Sequence, residues 1–254
     1  MIKVLINGIS GRMGLEVLKQ VNISSNFEIL CGVDKFDNNL GFPTYTNINL
    51  IKEIPDVIID FSIPEATMNI LEFAKEKNIP IVIATTGFSN EQLSIIEEYS
   101  KVIPIFRSSN MSYEINIMAD IVSKLATQLK DSDIEIIETH HRNKIDSPSG
   151  TALILADSIN ESLDNEMDYQ YNRHNVRQKR PDKEIGIHSI RGGTEVGKHT
   201  VMFLGENETL EITHTVTSRS IFAKGSLRAA KFLLNQDIGL YNMKDLIWAS
   251  GRES

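Results

Sequence analysis

Ile2-Lys-Val-Leu-Ile-Asn-Gly-Ile-Ser-Gly-Arg-Met-Gly14 is the stretch that decides the fold. Ile2 to Ile6 reads as a short buried strand, glycines at 8, 11 and 14 form a turn, and Leu15, Leu18 and Val21 follow at helical spacing. A glycine turn between a first strand and a helix is where a dinucleotide pyrophosphate rests on backbone N–H groups and the positive end of the helix dipole. The G-x-x-G-x-x-G spacing is a variant of the common G-x-G-x-x-G. A glycine triplet can also serve only to pack a βα turn tightly. Position favours the cofactor: Phe27 to Val33 is a second apolar strand ending at Asp34, twenty residues past Gly14, where a carboxylate can accept from the adenosine ribose. Lys35 beside it and Arg12 in the turn offer charge to a 2′-phosphate, so both NADH and NADPH are expected to be tolerated.

Working outward, Asp56 to Phe61, Ile79 to Ala84 and Val102 to Phe106 read as buried strands, separated by helices from Pro64 and over Asn90 to Tyr99. That alternation predicts a parallel sheet covered on both faces. Ala84-Thr-Thr-Gly87 and Ser108-Ser-Asn-Met111 end two of those strands at one sheet edge, either as ordinary turns or as ligand-facing ones. Beyond residue 111 the pattern changes. A long amphipathic helix (Ile115 to Leu129), a strand at Ile134 to Ile137 and a helix over Ala152 to Leu163 come first. A polar, loop-like run from Asp164 to Lys183 precedes three strands, at Ile185, His199 and Leu210, before a final helix from Ile221 and a short one near Leu246. The expected fold is α/β: a Rossmann-type nucleotide-binding domain from residues 1–110 and 220–254, with an inserted α+β domain at 111–219 containing a mixed sheet and serving substrate binding and oligomerisation.

The composition of the 254 residues, 41% hydrophobic and 24% charged, is ordinary for a globular protein, and the net charge of −8 argues against nucleic acid as a partner. Cys31 is the only cysteine, which excludes an intrachain disulfide and a multi-Cys zinc site and suits a reducing cytoplasm. No apolar run approaches the ~20 residues that span a bilayer, so no membrane partner is expected.

Glu138-Thr-His-His-Arg-Asn-Lys-Ile-Asp-Ser-Pro-Ser-Gly-Thr-Ala152 carries the chemistry. Two imidazoles and an ammonium lie within seven residues, followed by a Pro-Ser-Gly-Thr opening to a helix. Three readings compete. A metal site would need further convergent ligands, and adjacent histidines on an extended segment point to opposite faces, so no metal is expected. A structural reading satisfies one histidine in the core and leaves Lys144 on the surface. An active-site reading gives Lys144 charge and a proton to supply, with Ser149, Gly150 and Thr151 offering backbone and hydroxyl donors to a carboxylate.

These blocks resemble the dihydrodipicolinate reductase family, in current naming 4-hydroxy-tetrahydrodipicolinate reductase. The resemblance rests on Gly8-x-x-Gly-Arg-Met-Gly14, Ala84-Thr-Thr-Gly-Phe88, the Glu138 to Ala152 block and Gly186-Ile-His-Ser-x-Arg-Gly-Gly193. Val196-Gly-x-His-Thr200, Glu211-Ile-Thr-His214 and Ser218-Arg219 extend it toward the C-terminus. It implies NADH- or NADPH-dependent reduction, with loss of water, of a cyclic hydroxylated dicarboxylate in lysine and diaminopimelate synthesis. It further implies a homotetramer. Carried over by position, His140 becomes a proton donor or acceptor, Lys144 the proton donor, and His141 with Gly150 and Thr151 the holders of substrate carboxylate. Gly8, Ile9, Ser10, Gly11, Arg12, Met13, Asp34 and Lys35 would hold the cofactor. Ala84, Thr85, Thr86, Ser108, Ser109, Asn110 and Met111 would line its nicotinamide side, and Arg219 would reach the cofactor region. Glu114 stands where the family usually has glycine, adding negative charge near the expected site.

Overall fold

The structure is a computed structural model and describes residues 1–36, 39–174 and 176–251. The chain begins with β1 (Ile2–Asn7), α1 (Arg12–Ile23), β2 (Phe27–Val33), β3 (Thr44–Tyr45), β4 (Val57–Asp60), α2 (Pro64–Lys77), β5 (Ile81–Ile83), α3 (Asn90–Tyr99) and β6 (Pro104–Arg107). Next come α4 (Tyr113–Gln128), β7 (Asp133–His140), α5 (Gly150–Ser162), β8 (Asp168–Gln170), β9 (Glu184–Arg191), β10 (Gly197–Leu204) and β11 (Thr209–Val216). It closes with α6 (Ser220–Leu233), β12 (Gly239–Tyr241) and α7 (Met243–Ser250). Two compact units result: Met1–Tyr113 with Arg219–Ser254, and Glu114–Ser218.

The first unit holds a seven-stranded parallel sheet in the order β3-β2-β1-β4-β5-β6-β12, the strand sequence of a doubly wound nucleotide-binding fold with one strand added. Its strands read as unbroken apolar runs because both faces are buried. Val4 and Ile6 of β1 face a core shared with α1, α6 and α7, while Leu5 faces the opposite core under α2 and α3. Local signals agree with these elements. Pro64 opens α2, Asn78 closes it in the left-handed conformation (φ 55°), and Ser89 with Gln92 forms a capping box on α3.

The second unit holds a five-stranded mixed sheet, β11-β10-β7-β9-β8. Strand β10 runs antiparallel to both neighbours, whereas β7, β9 and β8 are mutually parallel. Helices α4 and α5 pack Ile115, Met118, Val122, Leu155 and Ile159 onto one face, against Ile134, Ile136, Ile185, Ile187, Val201 and Phe203.

Three strands lie outside the sequence expectation. Strand β3 adds to the edge of β2, β8 falls within the run read as loop, and β12 extends the first sheet beyond β6. Each has two or three residues, too few for a period of two to register, and each is specified by a neighbouring strand's free edge.

Gly225 of α6 is where helix and loop come closest. A Cβ there would stand 1.7 Å from the carbonyl oxygen of Met111, with no flexible side chain to give way. Helix propensity alone would make Gly225→Ala stabilising by up to about 1 kcal/mol. The backbone overlap should outweigh that, for a net loss of about 2 kcal/mol visible as a lower urea midpoint. A variant at least as stable as the parent would show that α6 is free to shift.

Candidate active site

The face of β7 that packs against α4 and α5 changes character along its length. Burial alternates strictly, so Ile134, Ile136, Glu138 and His140 share the inner face. Two isoleucines give way to a carboxylate and an imidazole, with Glu138 wholly inaccessible to solvent and His140 7% exposed. Neighbouring strands change in step. His199 of β10 and Ser189 of β9 flank Glu138, His214 of β11 flanks His199, and Arg191 of β9 flanks His140. A row of polar side chains thus follows the apolar rows across the sheet.

Glu138 is the hub of this row. It accepts two parallel bonds from Arg191, Nη1 to Oε2 and Nη2 to Oε1, both 2.7 Å. Oε2 also lies 2.6 Å from His140 Nδ1, and Oε1 accepts from the Ser149 amide at 3.1 Å. Burial on its own would raise this carboxyl. The hydrogen bonds from Arg191, Ser189, His140 and the Ser149 amide overcome that and hold it down at about 2. His140 is pressed below the ordinary imidazole range chiefly by burial, with Lys144 and Arg191 adding to the depression and Glu138 opposing it. It is neutral near pH 7.

The loop after β7 is tied to the same hub. Arg191 Nη2 donates to the Asp146 carbonyl at 2.7 Å, and the His141 amide donates to the Glu195 carbonyl at 2.7 Å. Lys144 Nζ donates to both carboxylate oxygens of Asp146 at 2.8 Å. Ser149 caps α5: its hydroxyl accepts from the Ala152 amide at 3.2 Å and lies 2.9 Å from His199 Nε2. Gly150 is exposed at the helix start, where an added Cβ would meet nothing within 4 Å, so open space faces the first turn. His141 Nδ1 is buried without a hydrogen-bond partner. The structure therefore sets His140 and Ser149 on one carboxylate and ties the Lys144–Asp146 pair to it through Arg191, with Gly150 and Thr151 opening the adjoining helix. Glu114 sits in the first turn of α4, favourable for a carboxylate, and its charge acts on His214.

In the first unit the glycine turn is built for close approach. Gly8 has φ +79°, and a Cβ on Gly14 would stand 2.1 Å from the Gly8 carbonyl oxygen, so α1 starts hard against the strand end. No side chain caps α1, and its first turn holds no acidic residue. Ser10 Oγ is buried without a partner, while the Ser10 amide donates to Asp34 Oδ2 at 2.8 Å. Uncapped amides and exposed Arg12 and Lys35 as donors, with a carboxylate at the tip of β2 as acceptor, fit a nicotinamide dinucleotide.

Next to this turn, Asp60 at the end of β4 is fully buried and accepts from Asn7 Nδ2 (2.7 Å), Ser62 Oγ (2.5 Å), Thr67 Oγ1 (2.7 Å) and Thr85 Oγ1 (2.8 Å). Burial pushes its carboxyl up against the pull of those donors. The turns after β4, β5 and β6 are further joined by the Ser62 amide on Thr85 Oγ1 and the Ser108 amide on the Ile83 carbonyl. Thr86 and Ser109 are exposed on these turns, Ala84 is half-buried and Asn110 buried. Ile9 and Met111 belong to the apolar core and Met13 packs against it, so their side chains serve packing. Arg219 is exposed at the N-cap of α6.

Residues 2–111 match the family model described as Dihydrodipicolinate reductase, N-terminus, and residues 114–247 match Dihydrodipicolinate reductase, C-terminus. The chain belongs to the dihydrodipicolinate reductase family. It is 49% identical to the 4-hydroxy-tetrahydrodipicolinate reductase of Caldanaerobacter subterraneus subsp. tengcongensis, over 97% of this chain and 98% of that one. Its fold superposes with a TM-score of 0.81 on a dihydrodipicolinate reductase from Paenisporosarcina sp. TG-14 solved with dipicolinate bound, at 26% identity, covering 95% of this chain and 97% of the other. A diaminopimelate dehydrogenase variant from Clostridium tetani E88 shares the fold alone, at 15% identity and a TM-score of 0.57, covering 96% of this chain and 94% of that one.

Sequence reading of the family motifs assigned no role to Glu138, Asp146, Arg191, His199 or Asp60. Glu138 carried a usable signal: a carboxylate in phase with Ile134 and Ile136 is buried, and a buried carboxylate needs a partner. Arg191 gave none, because its pairing depends on the parallel register of β7 with β9.

His199 makes the polar row sensitive to acid. It is 3% exposed, and burial, with the charges of His140, His214 and Lys144 adding and Glu138 opposing, presses its imidazole down to about 3. A depressed group contributes stability that is whole above its unfolded pKa, ordinarily ~6.5, and is lost as pH falls toward the folded value. Between pH 6.5 and 5, where few carboxylates titrate, unfolding free energy should fall with a slope of up to about 1.4 kcal/mol per pH unit from this residue. In His199→Asn the slope should be shallower by that amount, measured by urea unfolding across the window. Equal slopes would mean that His199 is protonated in the folded protein.

Proposed function

We infer that this chain catalyses the NAD(P)H-dependent reduction of 4-hydroxy-tetrahydrodipicolinate to tetrahydrodipicolinate with loss of water, a step of lysine and diaminopimelate biosynthesis. Membership of the family supports the reaction. The observation that carries the residue roles is that His140 and the start of α5 bond Glu138 directly, while the Lys144–Asp146 pair is tied to the same carboxylate through Arg191. The substrate is a dicarboxylate, and the second unit offers two kinds of anion donor: the Lys144 ammonium, and the first turn of α5 with Ser149, Gly150 and Thr151. His141, with its unpartnered Nδ1, is assigned to substrate carboxylate as well.

Bound NAD(P)H supplies the hydride. The glycine turn from Gly8 to Met13 holds its pyrophosphate, Asp34 accepts from ribose hydroxyls in place of the Ser10 amide, and Lys35 with Arg12 neutralises a 2′-phosphate when present. Turns Ala84 to Thr86 and Ser108 to Met111, pinned by Asp60, line the nicotinamide side, and Arg219 is assigned to the same cofactor. In the second unit His140, neutral near pH 7, exchanges a proton with the ring carbons during loss of water. Lys144 protonates the reduced system and offsets the negative charge that builds on it. Asp146 keeps the Lys144 ammonium in place until substrate competes for it.

The assembly proposed is a homotetramer. Its support is the face of the second sheet opposite α4 and α5, where Ile137, Met202 and the half-exposed Ile190 lie without a helix over them among the described residues of this unit. Light scattering should give four times the 28.5 kDa chain mass. A monomer at micromolar concentration would refute this assembly. Cytoplasmic residence belongs to the same reading, supported by the free, buried thiol of Cys31. Among the described residues no helix is long and apolar enough to cross a membrane.

The test of the reaction is a coupled assay in which enzymatically generated 4-hydroxy-tetrahydrodipicolinate is supplied with NADH or NADPH and nicotinamide absorbance is followed. Turnover is expected there and none with aspartate or diaminopimelate. Lys144→Ala should lower kcat by about 100-fold or more, because a proton donor is lost along with transition-state charge stabilisation. A Lys144→Ala enzyme turning over at near the parent rate would remove Lys144 from the mechanism.

A further inference from the structure

Glu138 does more than fill the core. Buried ion pairs are weak contributors to stability, and apolar replacements of similar volume are often neutral or better. Strand β7 itself uses isoleucine at the two preceding inner positions. Yet at the third it places a carboxylate whose lone pairs reach three different elements: His140 Nδ1 on its own strand, the guanidinium of Arg191 on β9, and the Ser149 amide at the head of α5. Arg191 in turn holds the Asp146 carbonyl, in the residue whose carboxylate grips Lys144.

We propose that Glu138, held by Arg191, is the positioning residue of the site: it fixes His140 as the Nδ1–H tautomer, leaves Nε2 as the proton-exchanging atom, and sets the Lys144 loop and the start of α5 from the same carboxylate. The inference rests on the reductase reading above and adds a role to it. Geometry dictates the tautomer. An ionised carboxylate 2.6 Å from Nδ1 can only accept, so the proton of a neutral His140 resides on Nδ1 and Nε2 keeps its lone pair. Gly197 keeps the other edge clear, because a Cβ there would stand 3.1 Å from Nε2. The ring is braced from the side by His199, edge-on with centroids 5.1 Å apart. The charged and titratable groups facing His140 are therefore Glu138 of its own strand, Arg191 of β9, His199 of β10 and Lys144 of the following loop. Of these, only Glu138 favours the protonated imidazole, so removing its charge moves His140 further down.

The experiment compares the full-length wild-type enzyme with Glu138→Gln and Arg191→Lys. Three readouts are taken: the His140 tautomer from ring 15N shifts, kcat with KM for both substrates, and the pH profile of kcat/KM. In the wild type the Nδ1–H form should dominate. Glu138→Gln should mix the tautomers and lower kcat on the order of 100-fold, with KM for NADH within about twofold. It should also carry the acid limb of kcat/KM down by about one pH unit. Arg191→Lys should fall between the two, since it keeps the charge and loses the fork. A Glu138→Gln enzyme with lowered thermal stability but wild-type tautomer, kcat and acid limb would overturn the proposal and leave Glu138 a structural residue. Should Glu138→Gln not fold, Glu138→Asp takes its place: the carboxylate remains to pair with Arg191 but is drawn back from His140, and the same outcomes decide. A wild type with no turnover would refute the reaction, whereas the tautomer signal tests Glu138 independently of turnover.

Discussion

One buried carboxylate and one guanidinium, fixed by the register of two parallel strands, organise the second unit. Arg191 meets Glu138 only because β7 and β9 are parallel and in register, with His140 beside Arg191 and Glu138 beside Ser189. Parallel strands require a crossover, and here it contains α5, whose N-cap residue Ser149 returns its amide to the same carboxylate. The crossover helix and the ion pair therefore depend on one another. Moving β9 by one residue would turn Arg191 to the other face of the sheet and leave Glu138 buried and unpaired, an arrangement costing several kcal/mol. That penalty adds to the cost of turning Ile185 and Ile187 of β9 out of the core and bringing Glu184 and His188 onto its face.

The first unit uses a carboxylate differently. Asp60 also sits at the carboxyl end of a central strand and is also fully buried, but its partners are hydroxyls and an amide, with no cation among its hydrogen bonds. Those neutral donors come from β1, α2 and the turns after β4 and β5. One side chain thereby gathers the segments that a doubly wound fold presents to its ligand. In both units the sheet supplies direction and a buried acid supplies closure. The consequences for proton chemistry differ. With a bidentate arginine Glu138 stays ionised and can impose a tautomer on a neighbour, whereas the Asp60 carboxyl is pushed up by burial and acts by joining turns.

Much of this was legible in the chain. The first strand, its glycine turn and Asp34 predicted the nucleotide-binding architecture because each is local: a short apolar run, three residues without side chains, and one acid at a strand tip. The change of pattern after residue 111 marked the inserted α+β region, since hydrophobic periodicity switches there from buried strands to amphipathic helices. Of the candidate site, His140, Lys144 and the Ser149 opening of α5 were visible as a contiguous motif. What stayed hidden depends on pairing between distant segments. Arg191 lies 53 residues from Glu138, and Thr85 25 residues from Asp60. Nothing in the local pattern around either residue indicates its acid. Strands β8 and β12 were hidden for the same reason, because each is defined by the edge it completes.

The polar row also bears on how stability and chemistry are divided in this fold. His214, His199, Glu138 and Ser189 cross four strands on a face that elsewhere carries Val201, Phe203 and four isoleucines of β7 and β9. The two buried members, Glu138 and His199, each give up apolar burial worth roughly 1.5–3 kcal/mol and add a desolvation cost that their hydrogen bonds only partly offset. The aliphatic rows against α4 and α5 must supply the difference. The row stands at the end of the strands where the backbone leaves the sheet, so its members reach the His140 to Ser149 loop without interrupting the aliphatic rows. A polar row placed at mid-strand would split that core in two. Set at the strand ends, the same residues keep one continuous core beneath a polar rim that presents His140 to the loop following β7.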